Sequence, residues 1–143
     1  MSGRPILDFD VVREPWNTYE LVDGVKVKIK VIITKIRKIQ TDEKTSNYNF
    51  DVQQLAVALS EERGPPDTKI YTPQDLQEAT VKNDIRYTTV SEEWNEYVSD
   101  DGARLRIKAT LSRVSKTSKF DRNGEPIYFT ETGILTQVRP PAP

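Results

Sequence analysis

WNTYELVDGVKVKIKVIITKIRK, residues 16–38, returns as WNEYVSDDGARLRIKATLSRVSK, residues 94–116. The two stretches align without a gap when Trp16 is placed on Trp94, and eight of the 23 positions are identical. Ordinary residue frequencies would give roughly one or two matches by chance. Such a repeat indicates an internal duplication, so we expect two halves of the same architecture. The identical pairs are Trp16/Trp94, Asn17/Asn95, Tyr19/Tyr97, Asp23/Asp101, Gly24/Gly102, Ile29/Ile107, Lys30/Lys108 and Lys38/Lys116.

Each copy contains a long stretch in which apolar and polar side chains alternate. This period of two is typical of a β-strand with one buried face and one exposed face. The apolar positions are Val25, Val27, Ile29, Val31 and Ile33 in the first copy, and Ala103, Leu105, Ile107, Ala109 and Leu111 in the second. The opposite face begins with three basic residues in each copy, Lys26, Lys28 and Lys30 or Arg104, Arg106 and Lys108. We call these two sets the basic ladders.

An Asp-Gly pair before each long strand predicts a tight hairpin. A three-residue loop with Gly24 in the left-handed region places Tyr19 opposite Val27 and Glu20 opposite Lys26. A two-residue loop would mix buried and exposed side chains. Because a slip of one residue moves every side chain across the sheet, the three-residue loop is preferred. The corresponding pairs in the second copy are Tyr97/Leu105 and Glu96/Arg106.

A second hairpin is expected after each long strand. Residues 121–124, Asp-Arg-Asn-Gly, have the composition of a turn in the second copy, and residues 41–47 take this place in the first. The apolar residues of the last strand then change phase, which predicts a bulge or bend with Gly133 as its candidate site. With a one-residue insertion, Tyr48, Phe50, Leu55 and Leu59 align with Ile127, Phe129, Ile134 and Val138.

These boundaries divide the chain into repeat one (6–59), a connector (60–83), repeat two (84–138) and a tail (139–143). Within the connector, Thr72 and Pro73 predict the N-cap and first position of one short helix. Each half is too small to hold a core easily, so the two should form a single fused domain, residues 1–143. The predicted fold is all-β: an internally duplicated small barrel or sandwich of six to eight mostly antiparallel strands with pseudo-two-fold symmetry. Two tethered barrels are the alternative.

The chain of 143 residues has no histidine and no cysteine. This composition excludes disulfides, thiolate nucleophiles, imidazole bases and Cys/His zinc sites. Acidic pairs such as Asp100-Asp101 and Glu92-Glu93 are sequential neighbours, and in a strand they point to opposite faces. They are therefore poor general acid/base pairs and poor metal cages. We expect no enzyme activity, no cofactor and no metal site.

The sequence contains no run of roughly 18 apolar residues, so no membrane span or membrane partner is expected. The N-terminus, MSGRPILDFD, lacks the charged-then-apolar pattern of a secretory signal, which favours a cytoplasmic location. The formal net charge is −1, yet residues 25–41 and 103–120 each contain six basic residues and no acidic one. Charge is therefore segregated, in the same way in both halves.

The basic ladders allow two interpretations. Trp16 is expected across from Lys30 and Trp94 across from Lys108, and cations beside flat aromatics are what single-stranded nucleic acid requires. Alternatively, the ladders are solvated strand faces with cross-strand Glu20–Lys26 and Glu96–Arg106 pairs, which we favour because these acids dilute the positive field.

The repeated Trp-Asn-x-Tyr element also allows two interpretations, a doubled binding platform or a structural element with core aromatics. We favour the structural one. The leading functional hypothesis is a non-catalytic interaction or assembly module that binds a protein partner, or itself, through duplicated β surfaces. The alternative is a barrel that binds single-stranded nucleic acid through Lys26, Lys28, Lys30, Arg104, Arg106 and Lys108, with Trp16 and Trp94 stacking on bases.

Overall fold

A computed structural model describes residues 6–40 and 46–141, and it places ten strands of this region in two antiparallel sheets of five. The strands are β1 (Ile6–Leu7), β2 (Phe9–Arg13), β3 (Asn17–Leu21), β4 (Lys26–Gln40), β5 (Ser46–Leu59), β6 (Thr80–Lys82), β7 (Tyr87–Ser91), β8 (Asn95–Ser99), β9 (Arg104–Phe120) and β10 (Pro126–Arg139), and α1 (Pro73–Glu78) lies between β5 and β6. The all-β prediction is confirmed. The predicted number of strands was too low, because a separate short strand, β1 or β6, precedes β2 and β7, which we call the lead strands.

Both sheets have a long strand at the centre and do not close into a barrel within the described residues. In the first sheet, β5 pairs along one side of β4, and β3 and β1 share the other side, with β7 outside β3. In the second sheet, β10 pairs along one side of β9, and β8 and β6 share the other side, with β2 outside β8. The long strands β5 and β10 are therefore edge strands.

The lead strands are exchanged between the halves. Strand β2 belongs to the first half of the chain but pairs with β8, and β7 belongs to the second half but pairs with β3. The registers correspond: Phe9 faces Ser99 in one sheet, and Tyr87 faces Leu21 in the other. When Trp16 is aligned with Trp94, Phe9 falls on Tyr87 and Leu21 falls on Ser99. Neither sheet can therefore form fully without both halves of the chain.

Both predicted hairpin registers are confirmed. Tyr19 faces Val27 and Glu20 faces Lys26, and the second copy repeats this with Tyr97/Leu105 and Glu96/Arg106. The loops require Gly24 and Gly102, whose φ angles of 89° and 91° lie in the left-handed region that residues with a Cβ rarely adopt. As a result, the core tyrosines and the basic ladders occupy opposite faces, as expected.

A bulge is present in each copy, but it lies in β4 and β9 and not at Gly133. The last strand β5 keeps its alternation: Phe50 faces the buried Ile36, whereas Leu55 faces Lys30 on the outer side. The registers shift around Thr34 in β4 and around Ser112 in β9, where one extra residue opposes the partner strand. The Thr34 hydroxyl donates to the Asp51 carbonyl at 3.3 Å, and the Ser112 hydroxyl donates to the Glu131 carbonyl at 2.9 Å. The bulge interrupts the backbone hydrogen bonds between the two strands, and each hydroxyl side chain replaces a lost donor. This explains why hydroxyl residues occupy both positions.

The downstream alignment of the two copies needs a correction. In the sheets, Lys38 faces Tyr48 and Lys116 faces Tyr128, so Tyr48 corresponds to Tyr128 and not to Ile127. The insertion that precedes the last strand of the second copy is therefore longer than the sequence indicated. The predicted turn at 41–47 falls partly outside the described residues, which resume at Ser46 as the first residue of β5.

The predicted helix is confirmed. The Thr72 hydroxyl accepts from the Asp75 amide at 3.1 Å, and the Asp75 carboxylate accepts from the Thr72 amide at 3.1 Å, which forms a reciprocal capping box. The first part of the connector lies against the last hairpin, where the Gly64 and Asp67 amides donate to the carbonyls of Gly124 and Asp121. Within the described residues, no helix has the length and apolar character needed to cross a membrane.

The core is one cluster to which both sheets contribute. The buried apolar faces of β4 and β9 supply most of it, and Tyr19 and Tyr97 are its largest fully buried side chains. Each tyrosine packs edge-to-face against an aromatic ring of the exchanged lead strand: Tyr97 against Phe9 at 5.8 Å and Tyr19 against Tyr87 at 5.6 Å between centroids. The exchange is therefore fixed by packing as well as by strand pairing.

Candidate interaction surfaces

The asparagines of the Trp-Asn-x-Tyr element join the two sheets. Both are buried, and Asn17 Nδ2 donates to the Ala109 carbonyl at 2.8 Å, whereas Asn95 Nδ2 donates to the Val31 carbonyl at 2.6 Å. Each acceptor lies on the central strand of the opposite sheet, and Val31 and Ala109 occupy equivalent positions of the repeat. This contact serves the internal structure, which agrees with the structural interpretation of the element.

The tyrosines form a second reciprocal contact. The Tyr19 hydroxyl accepts from the Leu111 amide and donates to Glu92 at 2.6 Å, and the Tyr97 hydroxyl accepts from the Ile33 amide at 3.3 Å. The two amides belong to the central strands just before the bulges. Burial is the main reason that the pKa of Tyr19 is raised far above its ordinary value and that the pKa of Tyr97 is raised to about 12.

A half-buried acid accounts for one residue of each of two further identical pairs, Asp101 and Lys38, whereas Lys116, the counterpart of Lys38, pairs with Glu62 at 2.7 Å. Asp101, in the loop before β9, accepts from the Tyr48 hydroxyl at 2.7 Å and lies 3.2 Å from Lys38 Nζ. Burial alone would raise the pKa of Asp101, but hydrogen bonds from Ser99, Tyr48 and the Ala103 amide, together with Lys38, lower it to about 2. The sequence predicted Asp101 only as part of the Asp-Gly turn and assigned no role to Lys38, although both residues are identical between the copies.

The second basic ladder is largely neutralised. Arg106 Nε lies 3.5 Å from Glu96, and Lys108 Nζ lies 3.6 Å from Glu92. The guanidinium of Arg106 is 4.6 Å from the centroid of the Trp94 ring, and Lys108 Nζ is 5.8 Å from it. Arg104 is exposed at the end of the ladder. The face of Trp94 on which a base would stack is therefore shared with this protein's own cations.

The first ladder is more open. Lys26 is exposed, Lys28 and Lys30 are half-buried, and none of the three forms an ion pair with a described residue. Lys30 Nζ lies 5.6 Å from the ring of Trp16, which is 37% exposed. The structure thus brings together the predicted residues of each half on one outer face, but it separates the two ladders onto different sheets.

The most unusual surface, the free edge of β5, was not predicted from the sequence. This strand has 14 residues, and its backbone pairs only with β4 among the described strands. Two side contacts approach it: the Thr132 hydroxyl of β10 donates to Gln54 Oε1 at 2.5 Å, and residues 56–58 line a hollow together with residues of the β9–β10 hairpin. Its residues 51–57 are all exposed, and residues 52–60 carry no charge in a chain of which 30% is charged. Proteins commonly protect an exposed edge with charge, proline or a bulge, because unpaired backbone groups recruit further strands. Residues 52–60 contain no proline and no glycine.

The outer face of β5 continues this apolar character beside the first ladder. Leu55 faces Lys30, Val57 faces Lys28 and Leu59 faces Lys26, so aliphatic and basic side chains form adjacent rows. The three aliphatic side chains are between 42% and 52% exposed. In the second sheet the corresponding row is Leu135, Gln137 and Arg139, which is mostly polar. The two edges therefore differ, and of the two only that of β5 is apolar.

Comparisons with known proteins found no match: no family model fits the chain, and neither a curated protein nor a solved structure shows significant similarity to it. Within the described ranges, no group of three or more acidic side chains is arranged to hold a metal ion. Function must therefore be inferred from the surfaces themselves.

Proposed function

We propose that the protein is a non-catalytic assembly module that self-associates by antiparallel pairing of β5 with β5 of a second copy. The observation that supports this proposal is the uncharged, exposed edge at residues 52–60. An additional strand would satisfy the unpaired backbone groups and cover apolar side chains at once. Two five-stranded sheets would become one sheet of ten strands across a two-fold axis.

The sequence of this edge favours a second copy as the partner. Residues 55–59 read Leu-Ala-Val-Ala-Leu, which is the same in both directions. In an antiparallel pair centred on Val57, each leucine faces a leucine, each alanine an alanine, and Val57 its own copy. Cross-strand aliphatic pairs of this kind stabilise a sheet, and a two-fold interface requires such self-complementarity.

The charges near the edge do not oppose this pairing. The first ladder lies on β4, one strand away from the edge, so two β5 strands would separate the ladders of the two copies. Three strand spacings amount to roughly 14 Å. This exceeds the Debye length of about 8 Å at physiological ionic strength, so repulsion between the lysines is largely screened.

We further propose that the chain arose by internal duplication and has pseudo-two-fold symmetry. The support is the set of contacts that recur at equivalent positions of the repeat: the exchanged lead strands, the asparagine and tyrosine contacts between sheets, and the bulges at Thr34 and Ser112. On this account, the outer row of β10 diverged toward polar residues, so that only one of the two edges kept its capacity to pair.

Sedimentation equilibrium from micromolar to near-millimolar protein tests the assembly. We expect a reversible shift from monomer to dimer mass, and Val57→Lys should abolish it by placing two cations in contact across the axis. Gln137→Lys on β10 is the matched control, because Gln137 faces Arg106 as Val57 faces Lys28. A wild-type protein that stays monomeric, or a Val57→Lys variant that still dimerises, would overturn the proposal.

A second candidate is binding of single-stranded nucleic acid by the first ladder. The observation in its favour is the exposed Trp16 beside Lys30, with no described acid paired to the ladder. Fluorescence anisotropy with labelled single-stranded DNA and RNA at about 50 and 200 mM salt should then show affinity that falls steeply with salt. Lys28→Glu should abolish this binding, whereas Arg106→Glu in the neutralised ladder should change it little. Equal effects of the two variants would count against this assignment.

A further inference from the structure

The outer face of the second sheet carries a half-open hollow of about 540 Å³. Val12 and Val98 form apolar parts of its wall, and Arg104, Arg106 and Arg139 reach it from neighbouring strands. Glu96 is the one acidic residue among the described side chains that line the hollow. Three cations and one anion give it a net positive charge, although the whole chain has a formal net charge of −1.

Two features of the arginines are unfavourable in the free protein. Arg104 and Arg139 face each other directly on β9 and β10, and like charges in this position destabilise a sheet. Arg106 Nη1 donates to Gln137 Oε1 at 3.1 Å, but Arg106 Nε is buried without a hydrogen bond, although its ion-pair partner Glu96 lies 3.5 Å away. An unsatisfied buried donor costs free energy. A bound anion would relieve the repulsion between the facing arginines and offer acceptors to the exposed guanidinium groups of Arg104 and Arg139.

We propose that this hollow binds a small multivalent oxyanion, of the phosphate or carboxylate class, between Arg104, Arg106 and Arg139. The guanidinium group presents paired donors that match the oxygens of a phosphate or carboxylate group. The hollow is larger than one such group, and its valines leave room for an apolar body attached to the anion. This site is independent of the edge of β5 and of the proposed assembly.

The first sheet provides a natural comparison. There, Leu59 takes the place of Arg139 and Val57 that of Gln137, so the equivalent face has an aliphatic row where the second sheet has donors. The duplicated architecture thus presents an apolar edge on one side and a cationic hollow on the other. The anion site is assigned to the second sheet alone.

Thermal unfolding tests the site when it is measured with pyrophosphate, with citrate, and with sodium chloride at matched ionic strength. We expect pyrophosphate or citrate to raise the melting temperature beyond the chloride control; the stronger of the two identifies the phosphate or the carboxylate source. Calorimetric titration of the same probe should give an affinity about tenfold weaker for Arg104→Gln, because one charge-assisted contact is lost.

Arg139→Leu introduces the residue type found at the equivalent position of the first sheet, and it should weaken anion binding likewise. Without anion, this variant should unfold at a temperature no lower than that of the wild type, because the two facing charges are no longer present. Arg122→Gln, in the exposed turn after β9, is the control and should bind as the wild type does. Shifts no larger than those of chloride, or equal affinity in Arg104→Gln and Arg122→Gln, would overturn the proposal.

Discussion

Asn17 and Asn95 each reach across the core and donate to the main chain of the opposite sheet. The acceptors, the carbonyls of Ala109 and Val31, lie on the two central strands at corresponding positions. A buried carbonyl requires a donor, and a side-chain amide that supplies it ties the position of one sheet to that of the other. The two residues therefore fix how the sheets pack against each other.

The contact is not fully symmetric. Asn17 Oδ1 also accepts from the Glu93 amide at 3.0 Å, whereas the residue equivalent to Glu93 in the first half is Pro15, which has no amide hydrogen. Replacement of either asparagine by alanine leaves a buried carbonyl without a donor. Asn95 makes a different second contact, since its Nδ2 also donates to the Tyr97 hydroxyl at 3.2 Å. We expect each variant to lower the free energy of unfolding by about 1–3 kcal/mol.

Urea denaturation followed by circular dichroism measures this loss. Asn123→Ala, in an exposed turn, is the control and should change stability by no more than about 0.5 kcal/mol. If Asn17→Ala and Asn95→Ala are as mild as the control, the asparagine contacts do not join the sheets.

The raised pKa values of the tyrosines predict that the protein loses stability at alkaline pH. The pKa of each of the six tyrosines is raised above its ordinary value of about 10, in the buried ones chiefly by desolvation, and those of Tyr48, Tyr97 and Tyr128 rise to about 12. A raised pKa in the folded state contributes stability that is present below pH 10 and is lost as the pH rises beyond it. The tyrosinate absorbance should therefore appear above pH 10 and together with unfolding. Ionisation near pH 10 in a protein that remains folded would contradict this expectation.

Asp101 predicts a loss of stability in acid. Its pKa is lowered to about 2, so it contributes stability above the ordinary value near 3.8, and this contribution disappears as the pH falls from about 4 toward 2. Asp101→Asn should cost about 1–2 kcal/mol at neutral pH, after allowance for solvent screening. The difference between variant and wild type should narrow below pH 4.

Denaturant unfolding at neutral pH and near pH 3 measures the free energy of unfolding of the wild type and of Asp101→Asn under both conditions. Asp100→Asn changes the exposed neighbour and should behave as the wild type. A cost for Asp101→Asn that does not change with pH would show that its charge is not the stabilising feature.

Local patterns were sufficient to predict much of the fold. The alternation in β4 and β9 gave the buried face, and the Asp-Gly loops gave the register of Tyr19 against Val27, because both depend on residues that are close in the chain. The exchange of β2 and β7 did not follow from these patterns. The exchanged strands are short and mostly exposed, and they are held by contacts between the halves, such as Phe9 with Tyr97.

The same difference applies to the candidate sites. The alternating pattern identified the basic ladders as sets of side chains on one face, but whether an acid lies beside them depends on the neighbouring strand, as Glu92 beside Lys108 shows. Arg139 had been assigned to the tail, although it is the last residue of β10 and faces Arg104. The free edge of β5 was missed because an edge is defined by the absence of a neighbouring strand, which requires the order of strands in the sheet.

The most direct test of the proposed assembly is disulfide formation by single cysteines, since the chain has none of its own. In a pair centred on Val57, the two Val57 Cα atoms lie about 4.5–5.5 Å apart, within the range of a disulfide. The two copies of Leu59 are displaced by four residues along the strand, roughly 13 Å, which is too far. We predict that Val57→Cys forms a covalent dimer rapidly under mild oxidation, and that Leu59→Cys does so only when mixed with Leu55→Cys. Equal cross-linking of Val57→Cys and Leu59→Cys alone, or none in any variant, would contradict the pairing of β5 with itself.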